Sequence, residues 1–147
     1  WIGLDSTLAC LAAPEFGWCP VTLTAEAASD PVLSAAASAF PIFQWHSDTF
    51  TLPHGAVRLA TSAGAENQAF RIGRATYGTQ FHFEANRQVV DTWIETFPDV
   101  IERSAPGWLK ARAAHADKDG ASAEATGFAL ARAWVGTIRT AESRRFG

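Results

Sequence analysis

Between Pro20 and His82 the chain runs in short apolar or alternating stretches broken by Gly, Pro, Ser and Asn, the pattern of strands and their turns. Residues 21–24, 42–45, 57–61, 69–72 and 77–83 are the predicted strands. Val57-Arg58-Leu59-Ala60 and Phe70-Arg71-Ile72 alternate polar with apolar, and Gly64 and Asn67 between them suit a tight reversal, which predicts antiparallel pairing. Beyond Glu84 the period changes. Val89, Val90, Trp93, Ile94 and Phe97 recur at helical spacing, and Pro98 ends that helix. Pro106 opens a second helix with Trp108, Leu109 and Ala113 on its apolar face, closed by the polar cluster at 117–120. An Ala-rich helix then spans 121 to about 141, with Phe128, Leu130, Ala131, Trp134, Val135 and Ile138 expected inward. Arg144 and Arg145 read as a solvated tail. Strands first and helices last give an α/β or α+β class, and the pattern does not choose between them.

The 147 residues fit one domain, 1–147, with a core of ordinary size. Twelve Lys and Arg against fifteen Asp and Glu leave a charge of -3, too acidic and too evenly mixed for a phosphate-binding surface, so nucleic acid is not an expected partner. No run approaches the ~20 apolar residues that span a bilayer, and the first residues lack the basic start of a secretory leader, so neither a membrane nor export is expected. Cys10 and Cys19 are expected as reduced thiols, and the reading is a cytoplasmic protein. Met is absent even from position 1, which reads as a partial chain.

Two segments carry candidate chemistry. Tyr77-Gly78-Thr79-Gln80-Phe81-His82-Phe83-Glu84 reads as a strand with a His and a Glu at its end; residues two apart on a strand share a face, so the carboxylate can orient the imidazole. A His-Glu pair without a catalytic task is the plainer reading of the spacing alone. Gln44-Trp45-His46-Ser47-Asp48-Thr49-Phe50 reads as a strand entering a polar turn capped by Asp48. His46, Asp48, His82 and Glu84 together could assemble a zinc site, although no ligand spacing points to one. His54 and His115 are expected at the surface, and Trp93, Trp108 and Trp134 in packing roles.

In this order, and with Asn67-Gln68-Ala69-Phe70-Arg71 between them, the two segments resemble the class I glutamine amidotransferases, in particular the stand-alone members similar to the amidotransferase domain of GMP synthase. Residues 78–84 match the family's Gly-x-Gln-Phe-His-Pro-Glu with Phe83 in place of Pro. Residues 45–50 match Trp-His-Gly-Asp-Thr-Phe with Ser47 for Gly, 67–71 match Asn-Gln-Ala-Phe-Arg, and Gly17-Trp18-Cys19-Pro20-Val21 is similar to Gly-Trp-Phe-Pro-Val. The likeness covers about residues 17–93.

The resemblance implies an α/β fold, a doubly wound mixed sheet of the flavodoxin-like type lacking its N-terminal strands, and a partial domain over 1–147. It implies a Cys-His-Glu triad that hydrolyses the glutamine side-chain amide, with His82 as base and then acid, Glu84 as its orienter, and Trp45, Ser47 and Asp48 lining the glutamine pocket. Glutamine would be the substrate, a synthetase or other ammonia acceptor a partner, and no cofactor or metal is expected. At the family's nucleophile elbow, Gly-x-Cys-x-Gly-x-Gln, this chain aligns Gly3, Asp5 and Thr7, so no nucleophilic Cys is found there; Cys10 falls in the helix that follows and Cys19 on the next strand. The alternative is a catalytically silent amidotransferase-like module that binds a partner or a small ligand.

Overall fold

The computed structural model describes residues 7–142, with side chains as far as Ile138. The elbow alignment at Gly3 and Asp5 and the basic tail at Arg144 lie outside the described residues. Five strands form one sheet: β1 (Leu8–Leu23), β2 (Ala39–Phe50), β3 (Ala56–Thr61), β4 (Ala69–Ile72) and β5 (Thr76–Thr79). They lie in the order β2-β1-β3-β4-β5, and every pairing among the described residues is antiparallel. The predicted strand at 69–72 and the reversal before it stand as read, while the strand predicted at 21–24 is only the end of β1. Cys10 lies on this strand rather than in a helix, paired with Asp48, and Cys19 lies on the same strand.

Past β5 the chain leaves the sheet and returns to its opposite edge. Gln80 N–H donates to the Gln68 carbonyl at 2.8 Å, and His82 N–H donates to the Phe43 carbonyl of β2 at 2.8 Å. The segment therefore links both ends of the strand order, and the sheet curls. The same return satisfies backbone groups that an open edge would leave unpaired.

Four helices follow: α1 (Arg87–Thr96), α2 (Pro98–Ser104), α3 (Trp108–His115) and α4 (Ala121–Glu142). Asn86 caps α1, its side chain accepting from Val89 N–H at 2.8 Å, and Pro98 starts α2 at a position that has no donor to lose. The polar cluster expected to close α3 does not break the helical path: residues Ala116–Gly120 form a π-helical turn that leads into α4. The buried face of α4 also differs from the predicted one. Ala123, Gly127, Leu130 and Thr137 are buried, whereas Phe128 is 70% exposed and Trp134, Val135 and Ile138 are exposed as well. The reason lies at Gly127, where a Cβ would come inside 3.0 Å of the Phe83 carbonyl oxygen, so α4 meets the preceding turn through its smallest residues.

The core is aromatic on the helical side of β1 and β2. Phe16 meets Phe43, Trp45 and Trp108 edge-on at 5.5, 5.4 and 4.8 Å, and Trp93 joins Phe43 and Trp45 from α1. Gly17, with φ of 93°, carries the backbone past the indole of Trp108, where any side chain would collide. His115, expected at the surface, is half-buried and stacks on Trp108 with the ring planes 4° apart. The other face of the sheet packs Val21, Leu33, Ile42 and Leu59. Asp30 is fully buried there, accepting from Val32 N–H and Leu33 N–H at 2.9 Å each, from Arg71 Nε at 2.8 Å, and from the Tyr77 hydroxyl. Burial and the Asp30 charge push the Tyr77 hydroxyl up to about 12.

Candidate functional site

His82 and Glu84 meet as their spacing predicts, but on different backbone. The strand expected to run through 83 stops at Thr79, and the pair occupies a tight turn in which Ala85 N–H donates to the His82 carbonyl at 3.3 Å. The ring is fixed on three sides. Its Nδ1 lies 2.7 Å from Glu84 Oε1, its face meets Trp93 at 5.3 Å between centroids, and its backbone is bridged to Phe43. A carboxylate on Nδ1 selects the tautomer with its proton there, which leaves Nε2 as the proton-accepting nitrogen. Nε2 has no hydrogen bond among the described residues. The side chains of His82 and Glu84 are 33% and 57% exposed, so the pair is open to a molecule arriving from outside.

The turn is held from α4 as well as from β2. Glu124 accepts from Arg87 N–H at 2.7 Å and pairs with the Arg87 guanidinium at 2.9 and 3.0 Å, tying the first residue of α1 to α4 beside Gly127. A cavity of about 150 Å³ opens between the turn and α4, lined by Phe83, Glu84, Asn86, Gly127 and Phe128 among others. Another cavity, about 420 Å³, is apolar, lies between β5 and α4 against Leu33, Tyr77 and Trp134, and does not include His82.

The second predicted segment is not a turn. β2 continues through Ser47 and Asp48 to Phe50. Trp45 is a packing residue, meeting Phe16, Trp93 and Phe97 edge-on, and so stands in one aromatic cluster with the Trp93 that contacts His82. Ser47 and Asp48 are exposed. His46 points to the other face, toward Glu15, so His46, Asp48, His82 and Glu84 do not converge; among the described residues no cluster of His, Cys, Asp and Glu could hold a metal ion.

A buried polar network lies beyond what the sequence pattern reveals. Glu15, at the irregularity in the β1–β2 pairing, accepts from Ser62 Oγ at 2.8 Å and Gln68 Nε2 at 2.7 Å, and lies 3.3 Å from His46 Nε2. Burial pushes the Glu15 carboxyl up, but the hydrogen bonds from His46, Ser62 and Gln68 and the charge of His46 outweigh it, and the group sits below its ordinary value. A Glu between Pro14 and Phe16 in an otherwise apolar run is the available signal; its partners come from two other segments, β2 and the loop at 62–68. Neither cysteine resembles a prepared nucleophile. Burial and then the charge of Glu15 push the Cys19 thiol up to about 11, and Cys10 is exposed opposite Asp48, away from the Phe43 to which His82 is bridged.

No family model matches the sequence. Over 81 residues it is 32% identical to the glutamine amidotransferase-like protein YfeJ of Salmonella typhimurium, a match covering 55% of this chain and 34% of that protein. Solved structures agree. A glutamine amidotransferase from Thermotoga maritima superposes with a TM-score of 0.71 at 26% identity, covering 88% of this chain and 55% of the other. One from Methylobacillus flagellatus gives 0.75 at 21%, covering 90% and 56%. In sequence and in fold the chain is similar to glutamine amidotransferases. This amidotransferase-like chain spans about a third of the curated relative and little more than half of the solved structures. The parallel strands expected of a doubly wound sheet are not among its described residues. A GMP synthase-type protein from Thermoplasma acidophilum shares the fold with a TM-score of 0.63 at 17% identity, covering 97% and 53%. No helix of the described residues is long and apolar enough to cross a membrane.

Proposed function

We propose that this chain supplies the His-Glu part of a class I glutamine amidotransferase centre. The observation that carries the reading is the 2.7 Å contact between Glu84 Oε1 and His82 Nδ1, with Nε2 left open to solvent and to a substrate. In the proposed reaction a thiolate attacks the side-chain amide carbon of glutamine. His82, having taken the thiol proton on Nε2, returns it to the leaving ammonia, and a glutamyl thioester remains. His82 then takes a proton from water as the water attacks, and glutamate is released. Glu84 holds the ring's orientation and balances the charge of the imidazolium. Trp45, Ser47 and Asp48 are the proposed glutamine-pocket residues, the last two through exposed groups at the end of β2. Ammonia would pass to a synthetase-type acceptor. With Gly3 aligned at the nucleophile, Cys19 pushed up to about 11 and Cys10 away from His82, the thiolate has to be brought to Nε2 by residues other than these.

The same cysteine observations favour a second reading, a catalytically silent module that retains the pair. One experiment separates them: the full-length protein is treated with a glutamine-analogue electrophile, weighed intact, and assayed for ammonia release from glutamine. A single adduct with ammonia release that His82→Ala abolishes supports the hydrolase. No adduct and no ammonia refutes it in favour of the silent module.

A further inference from the structure

The buried polar network leaves little freedom in where its protons sit. The Glu15 carboxylate only accepts, so Gln68 turns its amide nitrogen to Glu15 Oε2 at 2.7 Å and to Ser62 Oγ at 3.0 Å. The single Ser62 hydroxyl proton goes to Glu15, while Ser62 Oγ accepts from Ala65 N–H at 2.9 Å. With its amide nitrogen spent, Gln68 presents Oε1 to Gln44 Nε2 at 3.0 Å. Gln44 in turn presents Oε1 to His46 Nε2 at 3.1 Å, and Glu15 Oε2 faces the same nitrogen. His46 Nε2 must therefore carry a proton. On the other side of the ring, Nδ1 lies 2.9 Å from the Asp48 backbone carbonyl, which can only accept, so Nδ1 must carry one too.

We propose that His46 is an imidazolium at neutral pH, locked by Glu15, and that this charged ring is a positioning residue fixing the backbone of β2 at Asp48. The side chains of His46 and Glu15 are 8% and 12% exposed, so the pair is shielded from the solvent that weakens surface ion pairs. The charged groups nearest it are Glu15 on β1 and, two residues along β2 on the same face, the exposed Asp48 carboxylate; the loop at 62–68 carries Glu66, which turns away to Arg58 at 2.8 Å. Cys19 on β1 donates its thiol to the Phe16 carbonyl. Gly64 keeps the loop down on the carboxylate, since a Cβ there would come within 2.8 Å of Glu15 Cδ. The ring thus ties the β1 irregularity to the end of β2 that carries Ser47 and Asp48. Its bearing on glutamine recognition rests on the proposed function; the charge state does not.

The test is long-range proton–nitrogen NMR of the imidazoles in the 15N-labelled full chain at about pH 7.5, where an ordinary imidazole is mostly neutral. Both His46 nitrogens are expected at protonated positions, with Glu15→Gln returning the ring to a neutral tautomer and moving the Thr49 amide resonance. An unprotonated His46 nitrogen in the unsubstituted chain at that pH overturns the proposal. Should Glu15→Gln fail to fold, Ser62→Ala keeps the pair, and both nitrogens should stay protonated; loss of either proton there also counts against it. A full-length protein that shows the charged ring yet neither takes up the glutamine-analogue electrophile nor releases ammonia from glutamine refutes the proposed function and leaves this inference standing.

Discussion

Replacing Gly127 by Ala sets two effects of known sign against each other. In an exposed helix interior the change stabilises by about 0.5–1 kcal/mol, because Ala restricts the unfolded chain and favours the helix. At position 127 the added Cβ comes inside 3.0 Å of the Phe83 carbonyl oxygen, 3.3 Å from Phe83 C and 3.7 Å from its Cα. These are backbone atoms of the turn between His82 and Glu84, so no side chain can swing aside to make room. Overpacking of this kind costs about 1–3 kcal/mol, and against backbone that cannot yield the upper part of that range applies, so the net expectation is a loss of about 1–2.5 kcal/mol. Urea unfolding followed by tryptophan fluorescence reads it as a lower midpoint with an unchanged slope. Ser122→Ala, at an exposed position of the same helix, is the control and should gain up to about 0.5 kcal/mol. A Gly127→Ala protein as stable as the original, or more so, would refute the close approach of α4 to this turn.

Three further outcomes are expected. Since the fold holds the Glu15 carboxyl below its ordinary 4.5, its contribution to stability is full above that value and is lost as the pH falls through the folded one; urea midpoints should drop on acidification, and Glu15→Gln should flatten that limb. At about pH 8 a maleimide should label exposed Cys10 well before Cys19, whose thiol is pushed up to about 11, and peptide mass mapping after a short pulse reads the order. Asp30→Ala removes the acceptor of two backbone N–H groups, Arg71 and Tyr77, and should cost about 3 kcal/mol or more in urea unfolding.

Local period makes part of this fold legible. β3, β4 and α1 can be read because alternation, turn residues and a Pro stop agree within each segment. β1 cannot: residues 8–13 are small and apolar without alternation, and their strand state comes from pairing with the end of β2 far along the chain. The buried face of α4 departs from its apolar stripe because bulk is a poor guide where a helix meets backbone, and there Gly127 and Ala123 fit where Phe128 does not. At the site, the meeting of His82 and Glu84 is legible from two-residue spacing, although a turn rather than a strand brings it about. The Glu15–His46 contact is not, since it needs β1, β2 and the loop before β4 to be assembled first.

The π-helical turn at Ala116–Gly120 also acts as an angular adjustment between α3 and α4. Successive residues of an α-helix advance by about 100°, and a π turn takes up one extra residue locally, so each residue after it stands about 100° behind its place in an uninterrupted α-helix. The azimuth of Gly127 is thereby set independently of Trp108, which keeps its own contacts in the aromatic core. Wound as plain α-helix at the same length, this segment would turn Gly127 off the Phe83 carbonyl and bring Thr126 into its place. Winding here governs orientation, and a turn of five residues determines which face of α4 is presented to the turn carrying His82 and Glu84.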